Sequence, residues 1–177
     1  MVIGTWNIAF AGRQEMDKIA AMNGKRELLR HAVATVAYRA VRAIEDAPDG
    51  FGGFADCGRT PAKILAHMGD LFDWALSMAR GEERWRNSAP LSWAEEQQRF
   101  FTTLEAFDRQ LALPEPMHVS EERLLQGPIA DALTHVGQLA MLRRLAGSPA
   151  WSENYLVAKI TAGCAGAHQP AAVKRFR

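Results

Sequence analysis

The 177-residue chain predicts an all-α fold. Three observations carry that prediction. Apolar residues recur at steps of three and four along four segments, the period of helices that bury one face. No stretch shows the strict alternation of a half-buried strand. Thr, Ser, Gly and Pro stand where such helices would begin and end. The simplest arrangement is one domain over residues 1–177: a four-helix bundle of up-down-down-up type with an added C-terminal helix and tail.

Residues 1–24 read as an N-terminal extension or an early helix, with Met16 and Met22 as candidate starts. The first long helix runs from about Lys25 to Asp46. Its stripe is Leu29, Val33, Val36, Ala40 and Ala43. It could begin near Arg13, although Gly24 weakens continuity. Pro48 and Gly50, Gly52, Gly53 and Gly58 then mark a long loop.

Thr60-Pro61 opens the second helix, an N-cap followed by a residue preorganised for the first turn. Ile64, His67, Met68, Leu71, Ala75 and Met78 form its stripe, and Gly81 is its stop. Ser92 with Glu95 makes a capping box for the third helix. Its stripe is Trp93, Gln97, Phe100, Leu104, Phe107 and Leu111, ended by Pro114 and Pro116. Gly127-Pro128 starts the fourth helix and Gly147 with Pro149 ends it. Arg143 and Arg144 in its last turn suit the negative end of the helix dipole. Glu153 to Thr161 predicts a short fifth helix inside a C-terminal addition of residues 148–177.

Composition narrows the function. Lys and Arg total 21 and Asp and Glu total 20, a formal charge of +1. That balance argues against a whole-domain grip on nucleic acid. The basic cluster Lys174-Arg175-Phe176-Arg177 reads as a solvated tail. No apolar run approaches the roughly 20 residues that span a bilayer, and no secretory leader is evident. Two cysteines, Cys57 and Cys164, make no disulfide framework, so a cytoplasmic setting is expected. No phosphate loop, nucleophile elbow, dinucleotide fingerprint or paired CxxC is present.

The informative residues are polar ones on apolar faces. His67 lies on the second helix stripe. Asp131 and His135 lie one turn apart on the fourth, beside Leu139, Leu142 and Ala146. Asp131 is the one acidic residue that the helix faces direct inward. An unpaired carboxylate in a bundle interior costs several kcal/mol, and a divalent metal would supply the missing charge. Two histidines and one carboxylate leave coordination positions open, as catalytic sites do. The residues alone leave other readings standing: His67 as a hydrogen-bonded core histidine, Asp131 as a first-turn residue favoured by the helix dipole.

Other residues read more weakly. Gln138 is a helix-face hydrogen bonder or a partner that orients a ligand. Asp70 is a solvated surface carboxylate or an imidazole-orienting group. His31 faces the interior or a partner, and His118 and His168 are exposed. Cys57, in a glycine-rich loop upstream of His67, could reach a metal or act as a nucleophile, although a lone loop cysteine is usually neither, and Cys164 reads as a small apolar residue. Trp74, Trp85, Trp93 and Trp151 read as packing residues that could also wall a pocket. Glu153, Asn154 and Tyr155 are polar enough to line its mouth.

The segment from Gly127-Pro128 through Asp131, His135, Gln138, Arg143 and Arg144 to Gly147 resembles the last bundle helix of DinB-like (YfiT-type) proteins. Ile64-Leu65-Ala66-His67-Met68 resembles that family's second helix. The resemblance covers about Lys25 to Gly147 in helix order and spacing, and its specific motifs are these two segments. It implies a bundle that binds one divalent metal (Zn, Ni, Fe or Mn) through His67, Asp131 and His135, and a homodimer. Asp131 stands where many members have histidine, a departure that bears on metal preference and on activity. The chemistry implied is thiol S-transfer, with a small-molecule thiol and an electrophile as partners. A metal-dependent hydrolase and a non-catalytic metal- or ligand-binding stress-response module are the alternatives.

Overall fold

In a computed structural model, residues 4–55 and 58–176 are described, with side chains of the first helix described from Met22 onward. The chain is all-helical, and among the described residues there is no strand, only an isolated antiparallel bridge between Glu153 and Arg175. Four long helices share one core: α1 (Gly4–Ile44), α2 (Pro61–Ala79), α3 (Trp93–Leu111) and α4. The last is built from an α turn (Glu121–Leu124), a π turn (Leu125–Ile129) and an α segment (Ala130–Leu145).

The predicted stripes are the buried faces. Leu29, Val33, Val36, Ala40 and Ala43 of α1 meet Ile64, Met68, Leu71 and Ala75 of α2 and Phe100, Leu104, Phe107 and Leu111 of α3 in one cluster. Phe72 sits among the rings of Phe100 and Phe107, with centroids 6.1 and 5.9 Å away. The caps form as predicted. Thr60 accepts from the backbone of Lys63, and Ser92 and Glu95 complete a capping box. Gly81 and Gly147 take positive φ (81° and 75°) just past α2 and α4, a conformation that glycine adopts without steric cost.

Three boundaries differ from expectation. Helix α1 extends back to Gly4, and Gly24 does not break it. Gly127-Pro128 does not start α4; both lie inside the π turn. A proline ring cannot donate the usual backbone bond, and a wider turn absorbs that loss. The Ala130 N–H reaches back to Leu125 O, so the helix arrives at Asp131 already hydrogen-bonded. The predicted fifth helix over Glu153–Thr161 is absent; that region is irregular, with one 3-10 turn at Tyr155–Val157. Side-chain and backbone ties fix it instead. Glu153 accepts from Tyr38 Oη (2.6 Å) and pairs with Arg42 (3.3 Å), while Phe176 N donates to Ser152 O (2.8 Å).

Candidate metal centre

Helix α2 carries His67 on the edge of its buried face, two turns into the helix and two turns before Trp74. Helix α4 carries Asp131 and His135 one turn apart, just beyond the π turn. The α2–α4 packing brings the three together. Asp131 Oδ2 lies 3.5 Å from His67 Nε2, and Asp131 Oδ1 lies 3.4 Å from His135 Nε2. The imidazoles meet edge to face with centroids 4.8 Å apart. One donor atom from each residue lies within 4.8 Å of the others, a group that could hold a metal ion.

The donor set fits a divalent cation. A tetrahedral centre with bonds near 2.0–2.1 Å needs donors about 3.4 Å apart; each imidazole stands at about that distance from a different oxygen of Asp131, and one donor per residue falls within 4.8 Å of the others. Two imidazoles and a carboxylate form a borderline set that suits Zn, Fe or Ni and tolerates Mn. His135 is 8% exposed, His67 22% and Asp131 45%. The carboxylate therefore sits on the rim rather than inside the bundle.

Protonation favours the same reading. Burial holds the His67 imidazole below its ordinary value, the facing His135 adds to the effect, and Asp131 opposes it. A neutral imidazole keeps the lone pair that a metal needs. His135 Nδ1 lies 2.9 Å from Gln138 Oε1; an amide oxygen accepts, so this contact favours the tautomer with the proton on Nδ1 and leaves the Nε2 lone pair for a metal. Ligating histidines are oriented by such partners. Gln138→Ala is expected to weaken metal binding about tenfold, the lower end of the usual range because Gln138 is exposed. Calorimetric titration with the metal checks this; unchanged affinity would remove Gln138 from the site.

A cleft of about 560 Å³ opens beside the triad, lined by His67, Leu71, Trp74, Glu83, Trp85 and Asp131. Trp85 stands against His67 (5.7 Å between centroids) and against Trp74 (5.6 Å). These two tryptophans wall the cleft. Trp93 packs on Phe51 (5.5 Å), and Trp151 is exposed under Arg175.

Several other residues fall elsewhere. Asp70 neither orients an imidazole nor faces solvent: it is buried, bound to Arg99 (3.0 Å) and to the backbone and hydroxyl of Ser88 (2.8 and 2.7 Å). Asp131 is not the one inward acid either. Asp70, Glu96, Asp108 and Glu153 are all more buried, each paired with or accepting from an arginine or a backbone donor. Glu153 is committed to Tyr38 and Arg42, and Asn154 caps the following turn. His31 and His168 are exposed, as is His118 near Gly81, and Cys164 is exposed rather than buried. Cys57 lies outside the described residues. Glu83 was not singled out by the sequence; it sits in a loop with no periodic signal.

Comparison with known proteins finds no matching family model, no matching curated protein and no matching solved structure. Among the described residues, no helix is long and apolar enough to cross a membrane.

Proposed function

We propose that this chain is a DinB-like bundle of up-down-down-up topology in which His67, Asp131 and His135 hold one divalent metal and the adjoining cleft receives a small thiol. The supporting observation is the convergence of three donors from α2 and α4 at the edge of a tryptophan-walled cleft. A bound divalent cation lowers the pKa of a thiol or water on its open positions and so supplies a nucleophile at neutral pH. The side chains do the rest. His67 and His135 present their Nε2 atoms, Gln138 holds the His135 tautomer, and Asp131 offsets one unit of the cation's charge. Trp85, packed against His67 and Trp74, walls the approach to His67. A homodimer belongs to the same reading, and light scattering checks it.

The direct experiment is elemental analysis of protein purified without a metal-binding tag, followed by conjugation assays with a thiol and an electrophile. Stoichiometric metal with turnover supports the transferase reading. Ester cleavage without conjugation moves the assignment to a hydrolase. Tight metal binding without turnover moves it to a binding module. Protein that carries no metal and gains none on soaking defeats the metal site and both enzyme readings, and leaves only a metal-free ligand-binding module.

The pH dependence has a definite sign. Protonated imidazole cannot ligate. The His67 value lies below the ordinary 6.5, so this residue competes with protons only at lower pH. Metal affinity measured between about pH 5 and pH 8 should lose nothing to His67 above 6.5 and fall as the pH drops through its depressed value. His67→Asn, which has no such titration, should flatten that part of the curve. An identical curve in the variant would show that His67 does not ligate.

A further inference from the structure

A second cavity, of about 580 Å³, lies at the C-terminal end of α2. Three segments line it: Trp74 and Met78 from the last two turns of α2, Glu83 from the loop that follows, and Arg123 and Gln126 from the start of α4. The loop before α4 is tied down beside it. His118 N donates to Ala79 O (3.2 Å), and the His118 ring lies so close to Gly81 that a Cβ built there would come within 2.8 Å of it. Gly81 is therefore required twice: it takes a positive φ (81°), and its missing side chain admits the ring. Both residues line the cavity.

Two opposite charges face this space without partners. The Arg123 backbone N–H donates to Ser120 Oγ (3.4 Å), but its guanidinium enters none of the ion pairs among the described residues, and neither does Glu83. They do not pair with each other either, although both line the one cavity. Elsewhere on the bundle, neighbouring charges of opposite sign do pair: Arg30 with Asp108, Arg42 with Glu45, Arg84 with Glu82. A free guanidinium offers a fork of donors that matches a carboxylate. A free carboxylate accepts from an ammonium. Glu83 also follows the C-terminal end of α2, whose dipole favours a cation nearby. Trp74 and Met78 are half-buried and give the same cavity an apolar wall.

We propose that this cavity binds a free α-amino acid with an apolar side chain. The ligand carboxylate meets Arg123, its ammonium meets Glu83, and its side chain lies on Trp74 and Met78. Both charged residues are exposed, so a ligand with a single charge gains little from a pairing that water screens. A zwitterion engages both at once. An α-amino acid carries its two charges on neighbouring groups and leaves the third substituent free for the apolar wall. The site needs no metal and does not rest on the triad.

The test is calorimetry on metal-free full-length protein with L-phenylalanine, L-leucine, N-acetyl-L-phenylalanine, L-phenylalaninamide and glycine. The acetyl group removes the ammonium, the amide removes the carboxylate, and glycine lacks the side chain. L-phenylalanine is expected to bind about tenfold more tightly than each of these last three. Arg123→Ala should abolish its preference over the amide and keep that over the acetylated form. Glu83→Gln should do the reverse. Both side chains are exposed, so Tm should not change in either variant. If neither L-phenylalanine nor L-leucine binds at millimolar concentration, the proposal is overturned. Equal binding of the three phenylalanine probes overturns it too, as does a preference that survives its matching substitution. Trp74 and Glu83 also border the cleft beside the triad, so the titration is repeated after zinc loading. Binding in both forms is expected; binding only with zinc present would place the ligand on the metal and overturn the assignment to this cavity.

Discussion

His135→Ala is expected to weaken divalent-metal binding by roughly 100-fold or more, about 2.7 kcal/mol, and to abolish any metal-dependent turnover. His135 is the most buried of the three donors, and its ring is held between the Asp131 carboxylate and Gln138. Loss of an orienting partner alone costs 10–100-fold in typical sites, so loss of a donor sets a higher floor. Alanine is compatible with helix, so the circular dichroism spectrum should be retained. Asp131→Asn is the companion variant. It keeps one oxygen but loses the charge, and a reduction smaller than that of His135→Ala is expected. If both variants bind metal as the native protein does, the three residues form only a polar contact between α2 and α4.

The second large effect concerns stability. Arg99→Met should lower the free energy of unfolding by about 3 kcal/mol, read as a shift in the urea midpoint. Arg99 reaches Asp70 through both terminal nitrogens (3.0 Å each) and Glu96 through Nε (3.2 Å). It also donates to Ala66 O of α2 (2.5 Å). Asp70 is 1% exposed and Glu96 is fully buried. Methionine keeps much of the stem but leaves two buried carboxylates without their shared cation. Removing one partner of a buried pair costs about 3–5 kcal/mol. The lower end applies because Arg99 is itself 21% exposed and water relieves part of the loss. Against a total stability of about 5–15 kcal/mol this is a large fraction. A loss below about 1 kcal/mol would mean that Ser88 and the Leu91 N–H, which also bind the two carboxylates, suffice without the arginine. Because Asp70 sits one turn from His67 on α2, the same variant reports whether the network also holds the site in place. A fall in metal affinity beyond that of an equally destabilised core variant would show it.

The acidic residues separate what was readable from what was not. Asp131 stood out because it lies one turn from His135 on the same helix, a relation that helical geometry imposes whatever surrounds it. Asp70 gave a similar one-turn signal beside His67 that the structure does not use, and nothing in the sequence marked Asp70, Glu96, Asp108 or Glu153 as buried. Each is buried because a group remote in the chain reaches it: Arg99 from α3 for Asp70, Arg30 from α1 for Asp108, Tyr38 and Arg42 from α1 for Glu153. Glu96 is the exception in range, satisfied within its own neighbourhood by Leu91 and Arg99. A long charged side chain finds its partner after the helices dock, and single-helix periodicity carries no term for that. Proline misled for a related reason. Gly127-Pro128 is a sound helix start by local rules, yet a π turn lets the helix pass through it, and packing against α1 and α2 holds that turn in place.

By itself, the sequence determined the helical class, the inner stripes of all four helices, the Thr60 and Ser92 caps, and the Asp131–His135 pair. These depend on relations between residues a few positions apart, and the backbone transmits them at fixed geometry. Only the tertiary structure decided that His67 reaches that pair, that Asp131 sits on a rim, that Trp85 and Glu83 come to the cleft from a loop, and that the C-terminal residues form an irregular strap instead of a helix. Those outcomes depend on how separate helices dock and on which buried polar groups must be satisfied once water has been removed.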